Sequence, residues 1–188
     1  RIYVATVLED DQMPTVQENL VYNGTEQTGV TVPGGANTYY TITSTSTTKA
    51  TQANTAYAEG DENRNGYKAV VTLNPGYALY NSVTNTYYVA DTPLNLDWRI
   101  APKEAAASDF VVTDSTLTTT FGNSSYKGVT VTVAEQYTKN SENWKDKLEV
   151  QYQAKDGTWT NEAPKDAGTY NLRVRIANGA NFAAGDVE

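Results

Sequence analysis

The chain contains no cysteine and no histidine, and these two absences remove several kinds of chemistry. Without cysteine the protein has no disulfide framework and no thiol nucleophile, although this does not fix its compartment. Without histidine it has no Ser-His-Asp triad, and without both residues it has no zinc site of the usual ligand set. We therefore expect a protein that is not an enzyme, with no catalytic residues, no cofactor and no metal site.

Basic residues are scarce as well. The chain has 14 Lys and Arg against 22 Asp and Glu, which gives a net charge of −8. A nucleic-acid partner normally requires a basic face, and an anionic membrane surface also repels this charge. No apolar run reaches the roughly 20 residues of a membrane span. We expect neither nucleic-acid binding nor membrane insertion. Because the chain starts at Arg1 without a signal-peptide pattern, we expect an excised or mature fragment.

The residues that are abundant favour strands. The chain has 14 Tyr but only 3 Phe and 1 Met, and it is rich in Thr and Val. Aromatic and β-branched residues are enriched in strands, whereas good helix formers are sparse here. A length of 188 residues fits two domains of about 100 residues or fewer. The composition therefore predicts an all-β protein with two domains.

Three segments alternate apolar and polar residues with a period of two, which is typical of strands with one face in a core. They are residues 67–73, 94–100 and 170–176. The residues predicted to face inward are Tyr67, Ala69, Val71 and Leu73, then Leu94, Leu96, Trp98 and Ile100, and finally Tyr170, Leu172, Val174 and Ile176.

Two landmarks recur in the same order, which predicts an internal duplication. The sequence Gly-Val-Thr-Val occurs at residues 29–32 and 128–131, which lie 99 positions apart, and the glycine-tyrosine strands that begin at Tyr67 and Tyr170 lie 103 apart. We expect a leading strand at residues 1–8 outside the repeat, a first β-module at 9–103 and a second at 104–188. The second module has no equivalent of the apolar strand at 94–100, so a missing last strand is one expectation.

These motifs resemble the MBG-type and related Ig-like repeats of bacterial cell-surface proteins. The resemblance lies in the Tyr22-Asn23-Gly24 turn, in Gly66-Tyr67, and in residues 98–100, 156–164 and 166–170. It implies two tandem β-sandwich (Ig-like) modules, with a β-grasp-like arrangement as the alternative. It further implies secretion, an extracellular, cell-surface or cell-wall location, neighbouring repeat modules of the same parent chain as partners, and a role as stalk or spacer with adhesion.

The alternative function is a module that binds a glycan or a host protein through exposed aromatic rings, which offer an apolar face and a polar tip. Tyr67, Trp98 and Tyr170 are at inward positions and are expected in the core. The candidates for ligand contact are Trp159, Trp144, Tyr87 and Tyr88. Because Tyr87 and Tyr88 are adjacent in a predicted strand, they face opposite sides, and one of them should be exposed.

Two further motifs are expected to be solvated turns. Residues 61–66 (DENRNG) match the opening of an EF-hand calcium loop, but its twelfth position is Thr72 instead of Glu. Carboxylate pairs can hydrolyse glycosides when they face each other across a cleft. The clusters here, residues 9–11 and Glu142 with Asp146, are more typical of polar turns.

Overall fold

The computed structural model of the protein describes residues 4–33, 38–44, 46–53, 66–113, 128–138, 148–177 and 181–188. These residues are mainly β-strand with little helix, as the all-β prediction requires, and their sheets have only two or three strands each. The chain divides into unit 1, Arg1–Val21 with Glu26–Ala101, and unit 2, Tyr22–Thr25 with Pro102–Glu188. The division thus follows Ala101, close to the expected boundary after residue 103, but it assigns Tyr22–Thr25 to unit 2.

Unit 1 consists of short strands and one 3-10 turn at Asp10–Gln12. The strands are β1 (Thr6–Val7), β2 (Thr15–Val16), β3 (Leu20–Val21), β4 (Gln27–Thr28), β5 (Val30–Thr31), β6 (Tyr40–Ile42), β7 (Lys49–Ala50), β8 (Tyr67–Leu73), β9 (Tyr77–Asn81), β10 (Thr86–Tyr88), β11 (Leu94–Trp98) and β12 (Ile100–Ala101). In its sheets β9 lies between β1 and β10, and β8 lies between β6 and β11. The remaining strands pair two by two, as β2 with β5, β3 with β12 and β4 with β7.

The core of unit 1 lies on the apolar face of β8, as the alternation predicted. Ala69, Val71 and Leu73 are all buried, and Val71 and Leu73 pack in one cluster with Tyr40. The Tyr40 hydroxyl donates a hydrogen bond to the Gln12 carbonyl at 2.6 Å. Burial, and then the neighbouring tyrosine at position 39, raises the pKa of Tyr40 to about 12, so this hydroxyl stays protonated and remains a donor.

Trp98 lies at the other end of the apolar face of β8, opposite Tyr67. Its side chain is buried, it lies 4.7 Å from the Tyr67 ring between centroids, and its Nε1 donates to the Thr47 carbonyl at 2.6 Å. Gly29 lies directly against the indole, so that a Cβ at that position would overlap the ring. The glycine of the first Gly-Val-Thr-Val motif therefore makes room for this tryptophan.

The leading strand belongs to unit 1. Thr6 and Val7 pair in parallel with Tyr77 and Ala78 of β9, and Leu8 is buried in the core cluster. The sequence placed residues 1–8 outside the repeat, whereas β1 forms one edge of a sheet in this unit.

The described residues of unit 2 include a 3-10 turn at Ala107–Asp109 and a short helix, α1 (Glu135–Thr138). Its strands are β13 (Phe110–Val112), β14 (Val131–Val133), β15 (Leu148–Ala154), β16 (Tyr170–Ile176) and β17 (Gly185–Val187). β13 pairs with β14, and β16 lies antiparallel between β15 and β17. The chain makes a hairpin turn at residues 155–157, because Tyr152 and Thr160 on either side exchange backbone hydrogen bonds of 2.8 and 2.9 Å.

Three aromatic rings fill the core of unit 2. Tyr22, Tyr137 and Phe182 are almost completely buried. Phe182 meets the other two rings edge-on, with centroid distances of 5.7 Å to Tyr22 and 5.1 Å to Tyr137. Edge-to-face contacts at these distances are the favourable geometry for aromatic pairs. Tyr22 thus supplies core to unit 2, although the sequence placed it in the first module.

The Gly-Val-Thr-Val motifs form the same antiparallel pairing in both units. In unit 1, Thr15 pairs with Thr31. In unit 2 the β13–β14 ladder continues to Thr113, whose backbone N–H donates to the Thr130 carbonyl at 2.8 Å. Thr31 and Thr130 are the equivalent residues of the two motifs, and each pairs antiparallel with a segment that precedes it in its own unit.

Two expectations for the end of the chain differ from the structure. Tyr170 was predicted in the core, but its ring is only half-buried, whereas Val174 and Ile176 further along β16 are buried. A last strand is present in unit 2, because β17 pairs with residues 174–176 of β16. Tyr67, the equivalent residue of unit 1, was also predicted in the core and is likewise only half-buried, although β11 pairs with its strand up to that residue.

Candidate functional site

An exposed tyrosine pair lies on the β9–β10 hairpin of unit 1. Tyr80 and Tyr87 are directly opposite each other across the two strands, and their ring centroids are 4.9 Å apart. Tyr80 is 39% exposed and Tyr87 is 59% exposed. The Tyr80 hydroxyl donates to Asn85 Oδ1 at 3.0 Å, which holds this ring in place. We call this surface the tyrosine pair.

The turn that joins β9 to β10 is held by its own side chains. Asn81 Oδ1 accepts hydrogen bonds from the backbone N–H groups of Val83 and Thr84, at 2.9 and 3.1 Å. Residues 77–90 contain no charged side chain. The tyrosine pair is therefore a preorganised, uncharged surface of rings, hydroxyls and amides, which is chemically suited to a neutral ligand.

Tyr88 faces the opposite way from Tyr87. It is half-buried and packs against the core cluster of unit 1. The expectation that one of these adjacent rings is exposed is confirmed, and the exposed ring is Tyr87. The structure adds Tyr80, which was not selected from the sequence. It could have been selected from its position opposite Tyr87 across the hairpin.

Trp159 of unit 2 lies against a cation. The guanidinium carbon of Arg173 is 4.3 Å from the centre of the indole, and the side chain of Trp159 is half-buried. Arg173 Nε donates to Gln151 Oε1 at 2.8 Å, and Gln151 Nε2 donates to Asn161 Oδ1 at 2.7 Å. This network covers one face of the indole, so that face is already used within the protein.

Asp186 of β17 completes the same polar surface. Its carboxylate lies 2.9 Å from Arg173 Nη1 and accepts two hydrogen bonds from Arg175, at 2.8 and 3.1 Å. The hydrogen bond from Arg175 is the main reason that the pKa of Asp186 lies below its ordinary value. The cluster ties β17 to β16 through charge-assisted contacts, and sequence reasoning missed it.

A single buried carboxylate, with its hydrogen-bond partners, lies in the core of unit 2. Asp109, only 5% exposed, forms an ion pair with Lys103 and accepts hydrogen bonds of 2.9 Å from the Ala106 backbone N–H and the Tyr137 hydroxyl. Burial raises the pKa of Asp109, but the hydrogen bonds from Lys103, Ala106 and Tyr137 outweigh it and hold the pKa below the ordinary value. Every oxygen of this carboxylate has a donor, which indicates a structural role in joining the 3-10 turn to α1.

A groove of about 380 Å³ lies in unit 1 beside Trp98. Its lining is polar and apolar to nearly equal extent, and the polar side chains are those of Gln17, Glu18, Asn19, Asp97 and Arg99. Trp98 itself is 4% exposed. The prediction that Trp98 is a core residue is therefore confirmed, and its indole offers no open face for a sugar to stack on.

Several sequence candidates lie outside the described residues, namely Trp144, the calcium-like residues 61–65, and the carboxylates Glu142 and Asp146. In the described ranges no group of three or more acidic side chains is placed to hold a metal ion. No helix within those ranges has the length and apolar character needed to cross a bilayer.

Comparisons with known proteins give no match for this chain, whether with family models, with curated proteins or with solved structures. Function has to be argued from the residues and their geometry.

Proposed function

We propose that the chain is a non-enzymatic, extracellular fragment of a bacterial surface protein, a stalk or spacer built from two tandem Ig-like β-sandwich modules. The observation that carries this proposal is the recurrence of one antiparallel pairing, built on the Gly-Val-Thr-Val motif, in both units. A supersecondary unit that recurs along a chain is typical of tandem-repeat proteins. In this proposal the partners are neighbouring repeat modules of the same parent chain.

The placement of the aromatic rings supports a spacer over a binding module. Trp98 and Tyr40 are buried in unit 1, and Tyr22, Tyr137 and Phe182 are buried in unit 2. Aromatic side chains bury more area than other residues and dominate core energetics. These five rings therefore stabilise the cores of the two units.

A spacer depends on its length and its folding, and not on the identity of its surface. We expect that an unrelated pair of β-modules of similar length can replace this fragment in the parent surface protein without loss of cell adhesion, whereas deletion of the fragment reduces adhesion. Antibodies against the fragment should label intact cells. Adhesion lost on replacement, or labelling only after lysis, would contradict the proposal.

The tyrosine pair favours a second candidate function, the binding of a neutral glycan. Its two rings are exposed and fixed, and its hairpin is uncharged. A glycan array probed with the fragment and with the Tyr87→Ser variant tests this function, and Val111→Ser is a matched control because Val111 is an exposed residue of unit 2. Binding that Tyr87→Ser abolishes and Val111→Ser retains would favour the binding module. An array without signal for the unmodified fragment would reject it.

A further inference from the structure

The chain lacks the side chain that proteins usually oxidise to form a covalent cross-link. It has no cysteine, so a disulfide cannot tie two of its strands together, and it has 14 tyrosines. A thiol, where one is present, is a preferred target of oxidants through its thiolate form. In this chain the phenol rings are the most abundant oxidisable side chains, and two of them can be joined only where the fold holds them side by side.

The tyrosine pair is the closest contact between two tyrosine rings in the part of the chain that the structure describes. The ring centroids of Tyr80 and Tyr87 are 4.9 Å apart and the rings are tilted by 40°. In the next closest pair, Tyr39 with Tyr77, the centroids are 5.3 Å apart and the rings are nearly perpendicular, at 82°. Because Tyr80 and Tyr87 are directly opposite each other on neighbouring strands, both rings stand on the same face of the sheet. Their spacing leaves no room for another group between them.

An oxidant in solution can reach both rings of this pair. Tyr80 and Tyr87 are exposed, whereas Tyr39 and Tyr77 are half-buried and pack against the core cluster of unit 1. The hydrogen bond from the Tyr80 hydroxyl to Asn85 keeps the first ring beside the second. Residues 77–90 contain no Met or Trp, so tyrosine is the only readily oxidised residue type in this hairpin.

We propose that the tyrosine pair is a site of oxidative cross-linking, at which Tyr80 and Tyr87 are joined ring to ring as dityrosine. The co-reactant is hydrogen peroxide, which a peroxidase uses in two one-electron steps. Each step removes one electron from a phenol, and the phenolic proton passes to water. The two phenoxyl radicals form a carbon–carbon bond between the ring carbons next to the oxygens. The hydrogen on each of those carbons then moves to the phenol oxygen, which restores both hydroxyl groups.

The overall reaction is balanced by the peroxide. Two ring C–H bonds break and one C–C bond forms, and the two electrons and two protons released reduce one hydrogen peroxide to two water molecules. The bond closes a loop from residue 80 to residue 87 and ties β9 to β10. A cross-link of this kind restricts the unfolded chain as a disulfide does, but thiols cannot reverse it. This modification goes beyond the spacer function and gives a chain without cysteine a covalent tie within one sheet.

The test is oxidation of the dilute protein with a peroxidase and a small excess of hydrogen peroxide. Gel filtration then isolates the monomer and removes products that link two molecules. The monomer should gain the fluorescence of dityrosine and lose the mass of two hydrogen atoms. Trypsin releases residues 69–99 as one peptide, because Arg99 is the first basic residue after Lys68. The loss of mass should lie in this peptide, and its fragmentation should place the link between Tyr80 and Tyr87.

Three variants show whether the fold selects the two rings. Tyr80→Phe and Tyr87→Phe each remove one phenol, and each should reduce the dityrosine fluorescence of the monomer to that of the protein before oxidation. Tyr88→Phe is the matched control, because Tyr88 is adjacent to Tyr87 but faces the core cluster, and it should keep the full signal. All three variants retain the ring, so their melting temperatures before oxidation should stay close to that of the unmodified protein.

Two outcomes would overturn the proposal. If the oxidised monomer has no loss of two hydrogen atoms in residues 69–99, or if the link involves Tyr77 or Tyr88, the pair does not couple. If Tyr88→Phe lowers the fluorescence as much as Tyr87→Phe, the contact across the hairpin does not select the rings. Neither result bears on the spacer function, which the replacement experiment tests separately, or on glycan binding, which the array measures without oxidant.

Discussion

Removing the hydroxyl group from two neighbouring tyrosines should change stability in opposite directions. Tyr22 and Tyr137 share the core of unit 2, and their ring centroids are 5.6 Å apart. The Tyr137 hydroxyl donates to Asp109 Oδ1 at 2.9 Å. The Tyr22 hydroxyl is equally buried but has no hydrogen-bond partner among the described residues. The substitutions Tyr137→Phe and Tyr22→Phe therefore delete the same atom from two different environments.

The expected magnitudes follow from the partner of each hydroxyl. A hydrogen bond to a charged group contributes roughly 1.5–3 kcal/mol, and Tyr137→Phe also takes one donor from the buried carboxylate of Asp109, so we expect a loss within that range. A buried hydroxyl without a partner costs roughly 1–3 kcal/mol of desolvation. Tyr22→Phe removes that cost, and we expect it to stabilise unit 2 by about 1 kcal/mol.

Equilibrium urea unfolding, followed by circular dichroism, measures both changes. The midpoints should move in opposite directions with unchanged slopes, since an unchanged slope means that the same surface is exposed on unfolding. If Tyr22→Phe costs as much as Tyr137→Phe, the Tyr22 hydroxyl has a partner. If both variants are neutral, the Tyr137 hydroxyl does not stabilise the Asp109 carboxylate.

Three further predictions concern other contacts. The carboxylate of Asp109, with its lowered pKa, should stabilise the fold fully above the unfolded pKa of about 3.9 and lose this contribution as the pH falls through the folded pKa. In unfolding curves recorded at acid pH, the difference in stability between the protein and Asp109→Asn should therefore shrink. Gly29→Ala should cost about 1–3 kcal/mol in urea unfolding because its Cβ overlaps Trp98, whereas Gly185→Ala, with nothing within 4 Å, should be close to neutral. Tyr170→Ala, at a half-buried ring, should cost less than the roughly 3–5 kcal/mol typical of a fully buried aromatic residue, and a loss within that range would place the ring in the core.

The strands with strict alternation were predictable from the sequence. In β8, β11 and β16 one face is apolar and the other polar, and the structure buries Val71, Trp98 and Ile176 as the phase requires. Alternation reports which face of a strand points inward, because successive side chains point to opposite faces. It does not report how much of each side chain the neighbouring elements cover, and Tyr67 and Tyr170, both in phase with buried residues, are only half-buried.

Contacts between residues distant in sequence were not predictable. Tyr22 follows β3 of unit 1, yet its ring packs against Tyr137 and Phe182 in unit 2. Lys103 forms an ion pair with Asp109, and nothing in the local sequence pattern distinguishes Asp109 from a solvated acid. Burial of a charged group requires partners from several segments, and a periodic pattern carries no information on them.

The candidate site was predictable only where local geometry decides it. Adjacent residues of a strand face opposite sides, so one of Tyr87 and Tyr88 had to be exposed. Which of them is exposed depends on the core cluster that Tyr88 joins, and the presence of Tyr80 beside Tyr87 depends on the register of the hairpin. The contact of Trp159 with Arg173 depends on a strand that follows the tryptophan in the chain, and therefore on the turn between them.

The two Gly-Val-Thr-Val motifs both place a glycine against an aromatic side chain, but the side chains come from different strands. Gly29 and Gly128 are equivalent, and at each a Cβ would meet an aromatic side chain. In unit 1 that side chain is Trp98, which comes from the strand after β8, and in unit 2 it is Tyr152, which comes from the strand before β16. In unit 1 Gly29 keeps space for a ring, whereas in unit 2 Gly128 also has a positive φ of 89°, a conformation that favours glycine by itself, and the ring comes from the opposite neighbour of the central strand.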